Sequence, residues 1–185
     1  MEASGTPGEP MESAAMWKAP TVLLPDEPFV ADERAMLDVF LDRYRAALLD
    51  RFAGPTAEQL ALQPVPSSNL SLLGLIRHVT DVEQTWFRRR FLGLDVPPLY
   101  SRPDRRDAAF QELDPGQAPA AVDALVREWD LCRHELRGAS LEATFLTERW
   151  GKMSLRWVYL HMLGTYAQHN GHADLLRERI DGRTG

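Results

Sequence analysis

The chain has 185 residues, 44% hydrophobic and 26% charged, with a formal net charge of −6 at pH 7 and a pI near 5.4. That length carries one domain with its own core, and the acidic balance excludes non-specific nucleic-acid binding unless a local basic patch supplies it. A single cysteine, Cys132, excludes an internal disulfide and reads as a small buried hydrophobe, and no apolar run approaches the ~20 residues that cross a bilayer.

The opening stretch MEASGTPGEPMESAAMWKAP is rich in Gly, Pro, Ser and Glu and acidic where a secretory signal wants positive charge. It reads as a disordered lead over residues 1–28, ahead of a helical bundle domain over 29–185 in a cytoplasmic protein. The first helix begins near Asp32, a good N-cap, and sets Met36, Leu37, Phe40, Leu41, Tyr44 and Leu48 on one stripe before Gly54-Pro55 stops it. Thr56 and Gln59 form a capping-box pattern for a short helical turn.

The second helix opens at Asn69 or Ser71 and runs to about Leu92, with Leu72, Leu75, Ile76, Val79, Val82 and Trp86 on its apolar face. Its Arg88-Arg89-Arg90 run points three ways on a helix and reads as a solvated face. A connection from Gly93 to Gln117 follows, long for a bundle. The third helix starts after Pro119, carries Val122, Leu125, Val126, Trp129, Cys132 and Leu136 inward, and ends at Gly138. An irregular stretch leads to the fourth helix, from near Ser154 to Ile180 with Gly182 as its stop. Nothing alternates at period two, so the fold class is all-α: an antiparallel-type four-helix bundle with long connections.

Five histidines carry the chemistry: His78, His134, His161, His169 and His172. On the last helix His169 falls in the core-facing arc and His172 about 60° to one side, one turn on. His161 lies ~12 Å along the axis from His169, too far to share an ion, and reads as a hydrogen-bonded helix histidine. His78 sits at the edge of the second helix's apolar face. Glu83 falls among Ile76, Val79 and Trp86, so it points inward and needs a histidine or arginine partner from a facing helix. Imidazoles from two facing helices can build an interior metal site or a polar core network, and HxxH alone does not choose between them.

Three blocks in order, SLLGLIRHVTDVEQTWFRRRF, SLRWVYLHML and YAQHNGHADLLRERIDGRTG, make the chain from about Asp32 onward similar to the DinB-like superfamily in its actinobacterial branch. The resemblance implies a DinB-like four-helix bundle with up-up-down-down connectivity, a homodimer, and a zinc or nickel ion near one end. Family ligands are a histidine on the second helix, matched by His78, and a pair four apart on the last helix, whose second member is matched by His169. The first member falls on Thr165, a poor zinc ligand, so His172 or Glu83 is left to complete the triad, or the ion is lost. The expected metal residues are thus His78, His169 and His172.

The resemblance further implies a thiol-dependent S-transferase or isomerase. Mycothiol would be the co-substrate, the metal would lower its thiol pKa, and the partner would be a small electrophile. Glu83 would orient a ligand or move a proton, Tyr166 would shape the pocket, and Cys132 would not be the nucleophile. Two alternatives stand beside it. One is a non-catalytic, dimeric small-molecule-binding or stress-associated bundle, which Thr165 favours; the other is a metal-assisted hydrolase.

Overall fold

Local chemistry sets the helix ends. In the structure, a computed structural model that describes residues 17–20, 23–102, 104–105 and 107–184, helix α1 (Glu33–Phe52) starts where the Asp32 carboxylate accepts the Ala35 N–H. The Thr56–Gln59 capping box is formed and opens α2 (Ala57–Ala61). Ser71 caps α3 (Leu72–Glu83) through the Gly74 N–H, and Ser154 caps α5 (Leu155–Asp181) through the Trp157 N–H. Helix α4 (Ala118–Glu135) carries Pro119 in its first turn.

Two features differ from the helical periodicity. The second long helix does not stay α: Gln84–Phe91 winds as a π-helix, closed by the Leu92 N–H on the Phe87 carbonyl. Such slips re-aim side chains and recur at functional sites. The stretch before α5 is an antiparallel hairpin, β1 (Thr144–Thr147) with β2 (Gly151–Ser154), pairing Thr144 with Ser154 and Thr147 with Gly151. Gly151 has φ 70°, the left-handed position that a three-residue hairpin loop requires, so Glu148, Arg149 and Trp150 project from the turn.

Side-chain pairs give the helix directions. Arg156 bonds Glu33 at one end of α5 and Asp174 bonds Arg51 near the other, so α1 and α5 run parallel. Arg133 on α4 reaches Asp42, and Arg34 reaches the Leu136 and Ala139 carbonyls, so α4 opposes α1. His78 meets His169 while Trp86 meets His161, so α3 opposes α5. The order is up-down-down-up, not the up-up-down-down expected. Because α3 and α4 are parallel, the chain between them must return along the bundle, roughly 30 Å. That return is why the 93–117 connection is long.

Each of the four long helices contributes a residue to one buried network. Arg45 (α1) donates to both Glu83 oxygens (α3), each at 2.7 Å. The Tyr166 hydroxyl (α5) donates to Glu83 at 2.7 Å and accepts from the Trp129 indole (α4) at 2.8 Å. Around it pack Leu41, Leu48, Leu75, Ile76, Leu125 and Met162. The network admits an arginine to the face of α1 where periodicity expects only apolar residues: Arg45 is 3% exposed, while Met36, Phe40 and Tyr44 are only half-buried.

Residues 1–16 of the opening stretch lie outside the described residues. Residues 17–20 and 23–28 touch the bundle at separate points: Ala19 is buried, and Arg43 reaches the Pro25 carbonyl and the Glu27 carboxylate, while Leu23 stands exposed.

Candidate functional site

The long crossover is fastened to one face of α3. At Gly74 an added Cβ would stand 2.4 Å from a ring carbon of Phe110, so only glycine lets the crossover approach this closely. One turn on, Arg77 donates to the Gln111 carbonyl and lies over the Tyr100 ring at 4.9 Å. His78 packs against Phe110 at 5.4 Å between centroids. Asp81 accepts the backbone N–H groups of Leu99, Tyr100 and Ser101. The helical spacing of 74, 77, 78 and 81 makes this one continuous seam.

Behind His78 lie two more imidazoles. The His78 and His169 rings meet edge to face at 4.9 Å, and His169 and His172 bring their Nδ1 atoms to 3.4 Å. His169 is 9% exposed. Burial, reinforced by the neighbouring His78 and His172, pushes its pKa down to about 4. Burial also lowers the pKa of His78, and Asp81 partly offsets this. At neutral pH both are therefore uncharged, with lone pairs free to accept one positive charge between them.

The fit to an ion is incomplete. Two nitrogens 3.4 Å apart match the ~3.4 Å edge of a tetrahedron with ~2.1 Å zinc–nitrogen bonds. Yet among the described residues no group of three His, Cys, Asp or Glu is placed to hold a metal. Position 165, one turn before His169, carries threonine. The residues expected to hold zinc or nickel, His78, His169 and His172, thus stand together as a close imidazole cluster in which His169 and His172 are ligand-spaced.

Glu83 and Tyr166, the expected catalytic pair, are committed to the Arg45–Trp129 network. None of those bonds goes to an imidazole, and neither residue lines the cavity beside His78. Glu83 points inward, as its helical position requires, and its partner is an arginine. His161 is not hydrogen-bonded among the described residues; its ring stacks on Trp157 at 4.9 Å and packs on Trp86 at 4.5 Å. Cys132 is buried, which pushes its thiol pKa far up and leaves it inert.

The three arginines do not form a common solvated face. Arg88 turns inward to Glu128 and Glu135, while Arg90 lies over Trp86 at 4.1 Å and over Trp150 at 4.9 Å. A cavity of about 780 Å³ opens there, walled by α3 with its π-helical extension, the crossover and the hairpin turn. His78 is the one member of the imidazole cluster on its lining. A second cavity of about 420 Å³, bordered by Asp38, Asp42 and Arg45, reaches none of the three imidazoles. Sequence reasoning missed Asp81, which shows no sign of burial in an i, i+3 pattern, and the hairpin arginine and tryptophan.

No curated protein and no solved structure matches the chain. The family model described as Mycothiol-S-transferase matches residues 36–182, from the first turn of α1 to the cap of α5. That span holds all four long helices, the crossover and the imidazole cluster. The chain belongs to the mycothiol S-transferase family, within the DinB-like superfamily.

Proposed function

We propose that this protein joins mycothiol, through its sulfur, to a small electrophile, with His78 accepting the thiol proton at the mouth of the 780 Å³ cavity. One observation carries the reading: of three clustered imidazoles, His78 alone faces the cavity, with a neutral ring behind it and a carboxylate one turn ahead.

A thiol becomes a strong nucleophile only when its proton leaves. In the proposed step the S–H proton passes to a free ring nitrogen of His78, and the sulfur forms a bond to the electrophilic carbon. The leaving group departs with its electron pair. Asp81, held in place by three backbone N–H groups, stabilises the imidazolium that forms. His169 stays neutral behind it, because burial and its two imidazole neighbours oppose a second proton. The Glu83 network positions rather than reacts: it pins α3 to α5 beside the turns that carry His78 and His169. No step runs through a metal ion.

Purified, untagged protein mixed with an uncharged alkylating fluorophore tests the reading. Expected is protein-dependent conjugation with mycothiol at least tenfold faster than with free cysteine. Equal rates with both thiols would contradict a mycothiol site. Binding of mycothiol without any conjugation would favour the second reading, a non-catalytic binding bundle, which Thr165 supports.

A further inference from the structure

The cavity beside His78 carries more positive charge than a mycothiol site requires. Mycothiol joins an acetylated cysteine, a glucosamine and an inositol through neutral linkages, so its thiol is the only group that ionises. Four arginines nevertheless line the wall: Arg89, Arg90, Arg102 and Arg149. Elsewhere in the bundle Arg45, Arg51, Arg88 and Arg156 are each paired with a carboxylate. Among the described residues the cavity arginines have no such partner. Asp81, the one carboxylate on the lining, is already taken up by backbone N–H groups.

Their arrangement is specific. Arg90 lies against both Trp86, at 4.1 Å, and Trp150, at 4.9 Å, and Arg149 lies over Trp150 at 5.0 Å. The two indoles are stacked at 5.6 Å and 28°. Three separate segments converge to make this: the π-helical turn aims Trp86, Arg89 and Arg90, the hairpin loop brings Arg149 and Trp150, and the crossover brings Arg102. Burial, and then repulsion from Arg89 and Arg149, lowers the Arg90 pKa. Guanidinium forks match carboxylates in two parallel bonds, and indole faces match planar unsaturated bodies.

We infer that the electrophile this protein takes is a small organic carboxylate with a planar, unsaturated or aromatic body. Its carboxylate sits on the cavity arginines and its face lies against the Trp150 indole, 47% exposed, which Trp86 backs. The assignment rests on the S-transfer reading and names the substrate class of that same site. For an aryl chloride of this class the thiol proton goes to His78 and a sulfur–carbon bond forms at the chlorine-bearing ring carbon. The carbon–chlorine bond breaks, and chloride leaves with the electron pair.

Binding and turnover test the two parts separately. Without any thiol, tryptophan quenching is titrated with 3-nitrobenzoate and with 3-nitrobenzamide, which share the ring and differ in a charged carboxylate against a neutral amide. Expected is at least about tenfold tighter binding of the carboxylate, weakened by added salt, with the difference lost in Arg149→Gln and in Arg90→Gln. Arg149 is exposed on the hairpin turn, so its replacement leaves the fold alone. Equal affinity of the wild type for the two probes, or undiminished carboxylate binding in both variants, would overturn the anion site whatever the reaction. Turnover is then followed with mycothiol and 4-chloro-3-nitrobenzoate or its amide. Preference for the carboxylate supports the assignment; carboxylate binding with no chloride release from either compound would overturn the S-transfer reading on which it rests.

Discussion

The rings of His78 and His169 meet edge to face at 4.9 Å, from two antiparallel helices, and burial lowers the pKa of both. A neutral pair in contact is a poor place for two charges and a good place for one. The expected behaviour of the site follows from that constraint.

Stability should depend on His169 in acid. Its pKa falls from 6.5 in the unfolded chain to about 4 in the fold. The unfolded state then binds more protons between those values, so the contribution is complete above pH 6.5 and is lost as pH falls toward 4. The span is worth about 3 kcal/mol. Urea unfolding between pH 7 and pH 4 should show His169→Gln losing less stability than the wild type across this window. Identical pH slopes would contradict it.

The four-helix network should be a matter of stability. Replacing Glu83, 0% exposed, by alanine leaves the Arg45 guanidinium buried beside a lost partner, at a cost of about 3–5 kcal/mol. Tyr166→Phe removes the bond to Glu83 and leaves the Trp129 N–H without its acceptor, at a cost of about 1–3 kcal/mol. Denaturant midpoints check both. A Tyr166→Phe protein of unchanged stability with lost activity would give Tyr166 a chemical role beyond the network.

Gly74→Ala should displace the crossover. The new methyl would meet Phe110 at 2.4 Å and the Ser71 hydroxyl at 2.9 Å, so Phe110 must leave His78 or α3 must shift. Overpacking of this kind costs about 1–3 kcal/mol. Limited proteolysis should cut the 93–117 segment faster in the variant, and an unchanged cleavage rate would contradict the close seam.

Metal affinity should answer to position 165. With a ligand-spaced pair at His169 and His172 and threonine one turn before, the wild type should bind zinc weakly. Thr165→Glu should raise zinc affinity at least about tenfold by calorimetry. Affinity equal in both proteins would show that the imidazole cluster already holds the ion without that position.

What the sequence disclosed was local. Asp32, Thr56 with Gln59, Ser71, Ser154 and Gly182 mark helix ends through bonds to residues three or four away, and all five do so in the structure. His169 and His172 were legible as neighbours because one helix carries both. The partner of Glu83 was legible only as a type, since Arg45 comes from another helix and its charge masks a position in register with Leu37, Leu41, Leu48 and Phe52. Two strands of four residues each offer too few alternations to stand out. The π-helical slip, which turns Arg88 toward Glu128 and Arg90 toward Trp86, leaves no periodic trace in eight residues. The His161 side chain stacks on indoles because the same slip brings Trp86 to it.

The most direct test is the rate of mycothiol conjugation by His78→Gln, with folding verified by its unfolding midpoint. Loss of the proton acceptor should lower kcat/KM about 100-fold or more against the wild type. A His78→Gln protein that is folded and conjugates mycothiol at the wild-type rate would place the chemistry somewhere other than this imidazole cluster.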